Sequence, residues 1–433
     1  MLNLPWVQQR LKRTDQFTFS LYAALVSFGT YSCMYAFRKP FAVALFEGIS
    51  FLGIDYKIWL VIAQTLGYAA SKIYGIRFIA EMQSAKRARS IVVLILSSWL
   101  ALLLFAVVPA PFNIIFLFLN GFPLGMIWGL VFGYLEGRRS TEFMGAVLSI
   151  SFIFSSGFVK SAGKMVMVDW HVTELWMPFV TGLLFLLPMI VFVILLEQIP
   201  PPTATDEALR TRREPMNKQQ RRQLLQEFLP GLVLCIISYV ILTMLRDMRD
   251  NFAANIWEEL GMGKDAAIFT QTEVPVSLAI LGIMGMLVFV KDNYKAFMLN
   301  YVIVIAGFII AAVSSLLFMH QYISPLVWMT LTGLGLYMGY IPFNCIFFER
   351  LIATFKYVSN VGFLIYVADS FGYLGSVSIL LVKNFGNWHI SWGQFFMNTV
   401  WSLSVLGVIM MIGSYLYFRK KYRSMRPSSF VHS

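Results

Sequence analysis

Apolar runs recur along the whole chain, each closed by a short polar and often basic segment. A bilayer's hydrocarbon core is about 30 Å thick and takes roughly 20 apolar helical residues to cross. On that measure the runs predict membrane helices over residues 17–46, 54–79, 90–108, 112–136, 143–167, 177–196, 229–257, 268–290, 296–318, 325–348, 357–382 and 393–417, twelve in all. The longest polar stretch lies in the middle and opens with Pro200, Pro201 and Pro202, which stop the sixth helix. The chain therefore divides into a six-helix bundle over 1–197, a linker over 198–228 and a second six-helix bundle over 229–433. From Pro215 to Glu227 the linker reads equally as a short amphipathic helix on the membrane face or as a solvated segment.

Composition agrees with this pattern. Of 433 residues, 58% are hydrophobic and only 13% charged, whereas a soluble domain carries about 25% charged residues. Mean hydropathy is +0.70. The net charge of +12 would suit a nucleic-acid partner, but its distribution assigns it to one membrane face. Arg10, Lys12 and Arg13 precede the first helix, and Lys86, Arg87 and Arg89 follow the second. Arg138 and Arg139 follow the fourth, Arg210 to Arg222 the sixth, Lys291 and Lys295 the eighth, and Arg350 and Lys356 the tenth. The tail adds Arg419 to Arg426, while the opposite loops offer Lys57, Lys264 and Lys383. Loop cations collect on the cytoplasmic side, so both termini are expected there, and no nucleic-acid partner is needed. The first helix lacks a small-residue cleavage site and is read as uncleaved.

Three cations inside the apolar runs stand out: Arg38, Lys72 and Arg246. Arginine at mid-membrane costs about 2.5–3.5 kcal/mol on insertion scales, so it is kept where it faces a cavity, a partner or a substrate. Arg38 and Arg246 sit at matching places in the two halves, which points to an anion site approached from both. A guanidinium stays charged and offers a planar fork that suits phosphate or carboxylate. The opposing reading is an ion pair within the protein. Asp250, four residues after Arg246, has the spacing for one, and Glu136, Glu273 and Asp369 are available to Arg38 or Lys72. Lys72 is equally able to snorkel to a helix end, and Lys160 with Lys164 reads as an interfacial snorkelling pair in preference to an outer funnel for anions. Lys39 points about 100° away from Arg38 on a helix, toward another helix or the interface.

With these residues in view, the chain resembles the major facilitator superfamily, and within it the organophosphate/phosphate antiporter branch that carries glycerol phosphate and hexose phosphates. Tyr35, Arg38, Lys39 and Phe41 meet that branch's first-helix pattern, and Tyr68, Ser71 and Lys72 its second-helix pattern. Arg246 matches the seventh-helix arginine. Arg139, Glu142 and Gly145 look like the superfamily's cytoplasmic loop signature, and Phe371 to Gly375 like a run in the eleventh helix. The resemblance implies an alternating-access carrier in a bacterial inner membrane, with Arg38 and Arg246 on the substrate phosphate. Three departures stand beside it. Phe154 or a neighbour occupies the stretch where the carriers place a histidine. Leu130 to Glu136 replaces their glycine-rich run, and Asp247, Arg249 and Asp250 follow Arg246 where the pattern requires no charge.

The remaining intramembrane acids bear on coupling. Asp369 and Glu273 are candidates for a proton route or for static partners of a cation, and Arg249 with Asp250 or Asp247 for a gate pair. Tyr35, Tyr68 and Tyr373 are possible donors to an oxyanion, or members of an interfacial belt. Enzyme chemistry has little support: His171, His320, His389 and His432 form no metal-spaced pair, and Cys33, Cys235 and Cys345 stand apart in different helices. No phosphate-cradling glycine loop is present, so no nucleotide cofactor is expected. The expected activity is transport of a small organic anion by a monomer, with anion exchange favoured over proton symport. The alternative is a transporter-like sensor that binds the anion without moving it.

Overall fold

In the computed structural model helices cover most of the length of the expected runs among the described residues. The structure describes residues 4–80, 82–138, 140–202, 206, 218–355, 361–386 and 390–425. Arg139, Lys356, His389, His432 and most of the linker lie outside them. A short amphipathic helix not expected from the hydropathy, α1 (Pro5–Arg13), precedes α2 (Gln16–Tyr35). Asp15 caps α2 by accepting from the Thr18 backbone N–H at 3.0 Å, and that bond holds its carboxyl below its ordinary pKa.

Helix α2 ends at Tyr35, well before the expected boundary at residue 46. Pro40 has no N–H for the next intrahelical bond, and the chain leaves through a turn into a 3-10 segment, Pro40–Val43. Arg38 and Lys39 therefore sit in a turn and not on a helix face. A two-stranded antiparallel ribbon, β1 (Ser50–Phe51) with β2 (Ile54–Asp55), leads into α3 (Tyr56–Ala80). Then come α4 (Arg87–Val107), α5 (Ile114–Phe132), α6 (Thr141–Val168) and α7 (Met177–Glu197). The next helix, α8 (Lys218–Glu259), begins inside the expected linker and runs unbroken through Pro230. The described end of the linker is thus the first turns of a membrane helix. After it come α9 (Ile268–Val288), α10 (Asn293–Met319) and α11 (Pro325–Pro342). A π-helical turn over Phe343–Phe347 joins α11 to α12 (Phe348–Thr354), and α13 (Val361–Phe385) and α14 (Trp392–Met425) close the fold. Among the described residues, nine helical stretches are long and apolar enough to cross a membrane. Helices α2, α3 and α13 fall outside that set, and α3 carries Lys57, Gln64 and Lys72.

Two compact units emerge from the packing. The first comprises 1–210, 248–285 and 377–393, and the second 211–247, 286–376 and 394–433. Helix α8 contributes to both, changing units between Asp247 and Met248. In the first unit α2 packs on α6 and α7, α4 on α5 and α7, and α3 on α5. The α3–α5 crossing is very close: a Cβ at Gly67 would lie 2.2 Å from the Phe118 carbonyl oxygen, and one at Gly121 2.4 Å from that of Gln64. Small residues at a membrane-helix crossing let backbones touch, and this contact fixes the height of Tyr68 and Lys72 on α3. In the second unit α10 packs on α11, and Phe297, Tyr301, Phe347 and Phe418 form a buried aromatic core. Leu187 and Phe289 are among the large hydrophobes left exposed, as a lipid-facing surface allows.

Candidate functional site

In the first unit the turn after α2 and the middle of α3 bring Arg38, Tyr35, Tyr68 and Lys72 together. The Arg38 guanidinium carbon lies 3.9 Å from the Tyr68 ring centroid and 5.9 Å from that of Tyr35. The Lys72 ammonium is 5.7 Å from the same Tyr68 ring. Tyr35 is backed by Tyr31 at 5.6 Å and stacks on Phe152 at 6.5 Å. Backbone geometry here is held from α3 and α5: Gln64 Nε2 donates to the Arg38 carbonyl at 2.9 Å and to Asn120 Oδ1 at 2.8 Å, and Asn120 Nδ2 donates to the Phe37 carbonyl at 2.9 Å. A cation over an aromatic face gains electrostatically from the ring quadrupole. Tyr68 thus offsets part of the desolvation of two cations.

The second unit repeats the motif with other residues. Arg246 on α8 lies 3.9 Å from the ring of Tyr340 on α11, a tyrosine the sequence reading did not single out. Its fork is engaged by the adjacent acid: Nε and one terminal nitrogen donate to Asp247 Oδ1 at 3.1 and 2.5 Å. This corrects the expected pairing, because Arg246 pairs with the residue next to it and not with Asp250. The spacing rule assumes both side chains lie along one helix face, and here the carboxylate of Asp250 is taken by other cations. Asp247 Oδ2 accepts from Ser376 Oγ on α13 at 2.7 Å. Asp369, also on α13, is buried and accepts from the Tyr239 hydroxyl. Asn344, in the π-helical turn after Pro342, reaches Tyr239 at 3.3 Å.

Past the unit change in α8, Arg249 and Asp250 belong to the first unit and anchor a buried ionic network. Asp250 accepts from Lys39, Lys160 and Ser156, and Lys39 also donates to Asn251 Oδ1 at 3.0 Å. Arg249 pairs with Glu273 on α9 at 2.5 Å, not a partner its spacing offered. Lys57 donates to the Ala42 carbonyl at 2.9 Å and to Asn255 Oδ1 at 2.6 Å. Lys160 is 3% exposed, which corrects its interfacial assignment. A long stem that can reach water can equally reach a buried carboxylate, and the linear sequence shows no such carboxylate nearby. Gly157 admits Glu273 beside α6, since a Cβ there would lie 2.6 Å from Glu273 Cγ. In the turn after α5, Arg138 donates to Pro200 O and Tyr134 O and lies 4.8 Å from the Phe19 ring. Burial lowers its pKa from the ordinary arginine value, with Asp206 opposing.

Several solved structures that share this architecture are of transporters. A variant of the peptide transporter POT superposes with TM-score 0.64 at 10% identity, over 97% of this chain and 99% of that one. The nucleoside transporter NupG gives 0.60 at 15% identity, over 92% and 98%. A D-xylose–proton symporter gives 0.58 at 13%, over 90% and 97%. The chain therefore has the all-α major facilitator fold. Residues 40–421 match the family of unknown function DUF5690, and the chain belongs to that family. No curated protein matches it.

Proposed function

We propose that this protein is a secondary transporter that moves a small organic anion, in the first instance a phosphorylated one, across a membrane by alternating access. The observation that carries the reading is the repeated arginine-on-tyrosine arrangement, Arg38 on Tyr68 and Arg246 on Tyr340, both at 3.9 Å. A guanidinium held over an aromatic face has less freedom to lose on making a two-point contact with an oxyanion. Arg38 and Arg246 are the anion contacts, with Lys72, Tyr35 and Tyr68 beside Arg38. Transport is supported by the fold shared with peptide, nucleoside and xylose carriers.

Anion exchange is the favoured mode. Glu273 and Asp369 are the acids through which a proton could couple, and Arg249 and Asp250 the pairs that would part during the cycle. The six-helix halves 1–197 and 229–433 are the moving bodies in this reading; the loop charges favour cytoplasmic termini, and the resemblance implies a bacterial inner membrane. Proteoliposomes test the reading. With no pH gradient, labelled phosphate or glycerol phosphate should enter vesicles loaded with the same anion, and Arg38→Lys and Arg246→Lys should each abolish most of that uptake. Uptake at the normal rate in both variants removes the arginine site. Uptake into empty vesicles that needs acid outside, and fails in Asp369→Asn, replaces exchange by proton symport.

A further inference from the structure

We infer that Asp247 is a resident anion for Arg246: it occupies the guanidinium when no substrate is bound, and an arriving oxyanion displaces it toward Ser376. The inference rests on the anion-transport reading above and concerns a residue which that reading leaves unused.

Three features of the pair point this way. Both contacts from Arg246 converge on a single carboxylate oxygen, Oδ1, at 3.1 and 2.5 Å. Side chains adjacent on a helix are poorly placed to meet broadside, so the parallel two-oxygen fork that makes arginine–oxyanion contacts strong is not formed. A free phosphate group carries three acceptor oxygens and more charge than a carboxylate, and it is not tethered one residue away. It can take the fork that Asp247 takes only by one oxygen.

The second feature is a resting place. Asp247 Oδ2 already accepts from Ser376 at 2.7 Å, so a displaced carboxylate keeps one hydrogen bond through a modest rotation. Tyr340, 3.9 Å under the guanidinium, holds the arginine in place while the acid moves. Third, the pair is reachable. Arg246 and Asp247 are 17% and 16% exposed, whereas Lys160 and Asp250 are 3% and 12%, and Arg249 and Glu273 are 4% and 9%, so the contrast lies mainly in the cation. The cations of those pairs are shut away from an arriving ligand, while Arg246 lies open enough to exchange its anion.

The functional consequence is a change in how the empty carrier behaves. An arginine stripped of any anion would resist burial, so a carrier without a resident anion would return only when loaded. Asp247 neutralises Arg246 in the empty state and permits a slower unloaded return beside exchange. It also sets a cost that every substrate must meet on binding, which keeps affinity low enough for release.

Inorganic phosphate is the probe. Wild type, Asp247→Asn, Ser376→Ala and the double variant Asp247→Asn with Arg246→Gln are purified and titrated with it by thermal shift. Their reconstituted forms are then compared for phosphate exchange against net uptake into empty vesicles. Asp247→Asn should bind phosphate at least tenfold more tightly and lose net uptake while keeping exchange. Ser376→Ala, which retains the acid but removes its resting place, should bind more weakly, and the double variant should lose the gain. Equal or weaker binding in Asp247→Asn, with wild type binding phosphate, overturns the resident-anion role alone, as does a gain that survives the loss of Arg246. Absence of phosphate binding in wild type and Asp247→Asn alike overturns the anion reading itself.

Discussion

Asp250→Asn should be among the most damaging single substitutions in the first unit. Its carboxylate accepts from Lys39, Lys160 and Ser156, and the two lysine side chains are 7% and 3% exposed. Removing one partner of a buried ion pair costs about 3–5 kcal/mol, because the other charge is left buried without compensation. Two features hold the value to the lower end. Lys39 keeps Asn251 Oδ1 at 3.0 Å, and Lys160 keeps the backbone carbonyl of residue 250 at 2.6 Å. Against that, an asparagine amide turned toward a lysine sets donor against donor. We expect a loss of about 3 kcal/mol in unfolding free energy, measured by denaturant titration in mixed micelles. The loss should change little with salt, since buried pairs are weakly screened. Adding Lys160→Met should recover part of it, because an uncompensated cation is then removed, giving a coupling energy above about 1 kcal/mol in a double-mutant cycle. A cost below about 1 kcal/mol, or additivity within about 0.5 kcal/mol, would refute the view that Asp250 is the hub of a buried network.

Other expectations are narrower. Gly157→Ala should cost about 1–3 kcal/mol in the same titration by overpacking, since the new methyl meets Glu273 Cγ at 2.6 Å and the Phe269 carbonyl oxygen at 2.7 Å; a neutral result would mean that α6 and α9 separate easily. Tyr340→Leu should weaken phosphate binding by about 0.5–2 kcal/mol through loss of the cation–aromatic contact, while Tyr340→Phe should not; equal losses in both would shift the role from the ring to the hydroxyl. In intact cells a cysteine at Lys264 should react with an impermeant reagent, and one in the 198–228 linker should not. Labelling of the linker from outside would invert the proposed topology.

The helices of this protein are legible from its sequence because the membrane imposes a one-dimensional rule. Every backbone group in the hydrocarbon must be paired within its own helix, so a long apolar run has one available structure. Boundaries failed where local chemistry competes with hydropathy. Pro40 stops α2 at Tyr35 although the apolar run continues, and α8 extends back to Lys218 through residues too polar for a hydropathy reading to include. The candidate cations were also legible, because an arginine or lysine in an apolar run stands out on cost alone.

What each cation touches was decided only in three dimensions. Lys39 finds Asn251 across 212 residues of chain, and Lys160 finds Asp250 across 90. Within a helix the sequence offers partners only at three or four residues' separation, and on that rule Arg246 belonged to Asp250. Tertiary packing gave Asp250 to two lysines and left Arg246 to Asp247 and Tyr340. A buried charge takes whichever counter-charge the packing of helices brings within reach, and that depends on crossings such as α3 on α5, where Gly67 and Gly121 let two backbones meet. Hydropathy fixes which residues are in the membrane, and the close approach of helices fixes which of them meet.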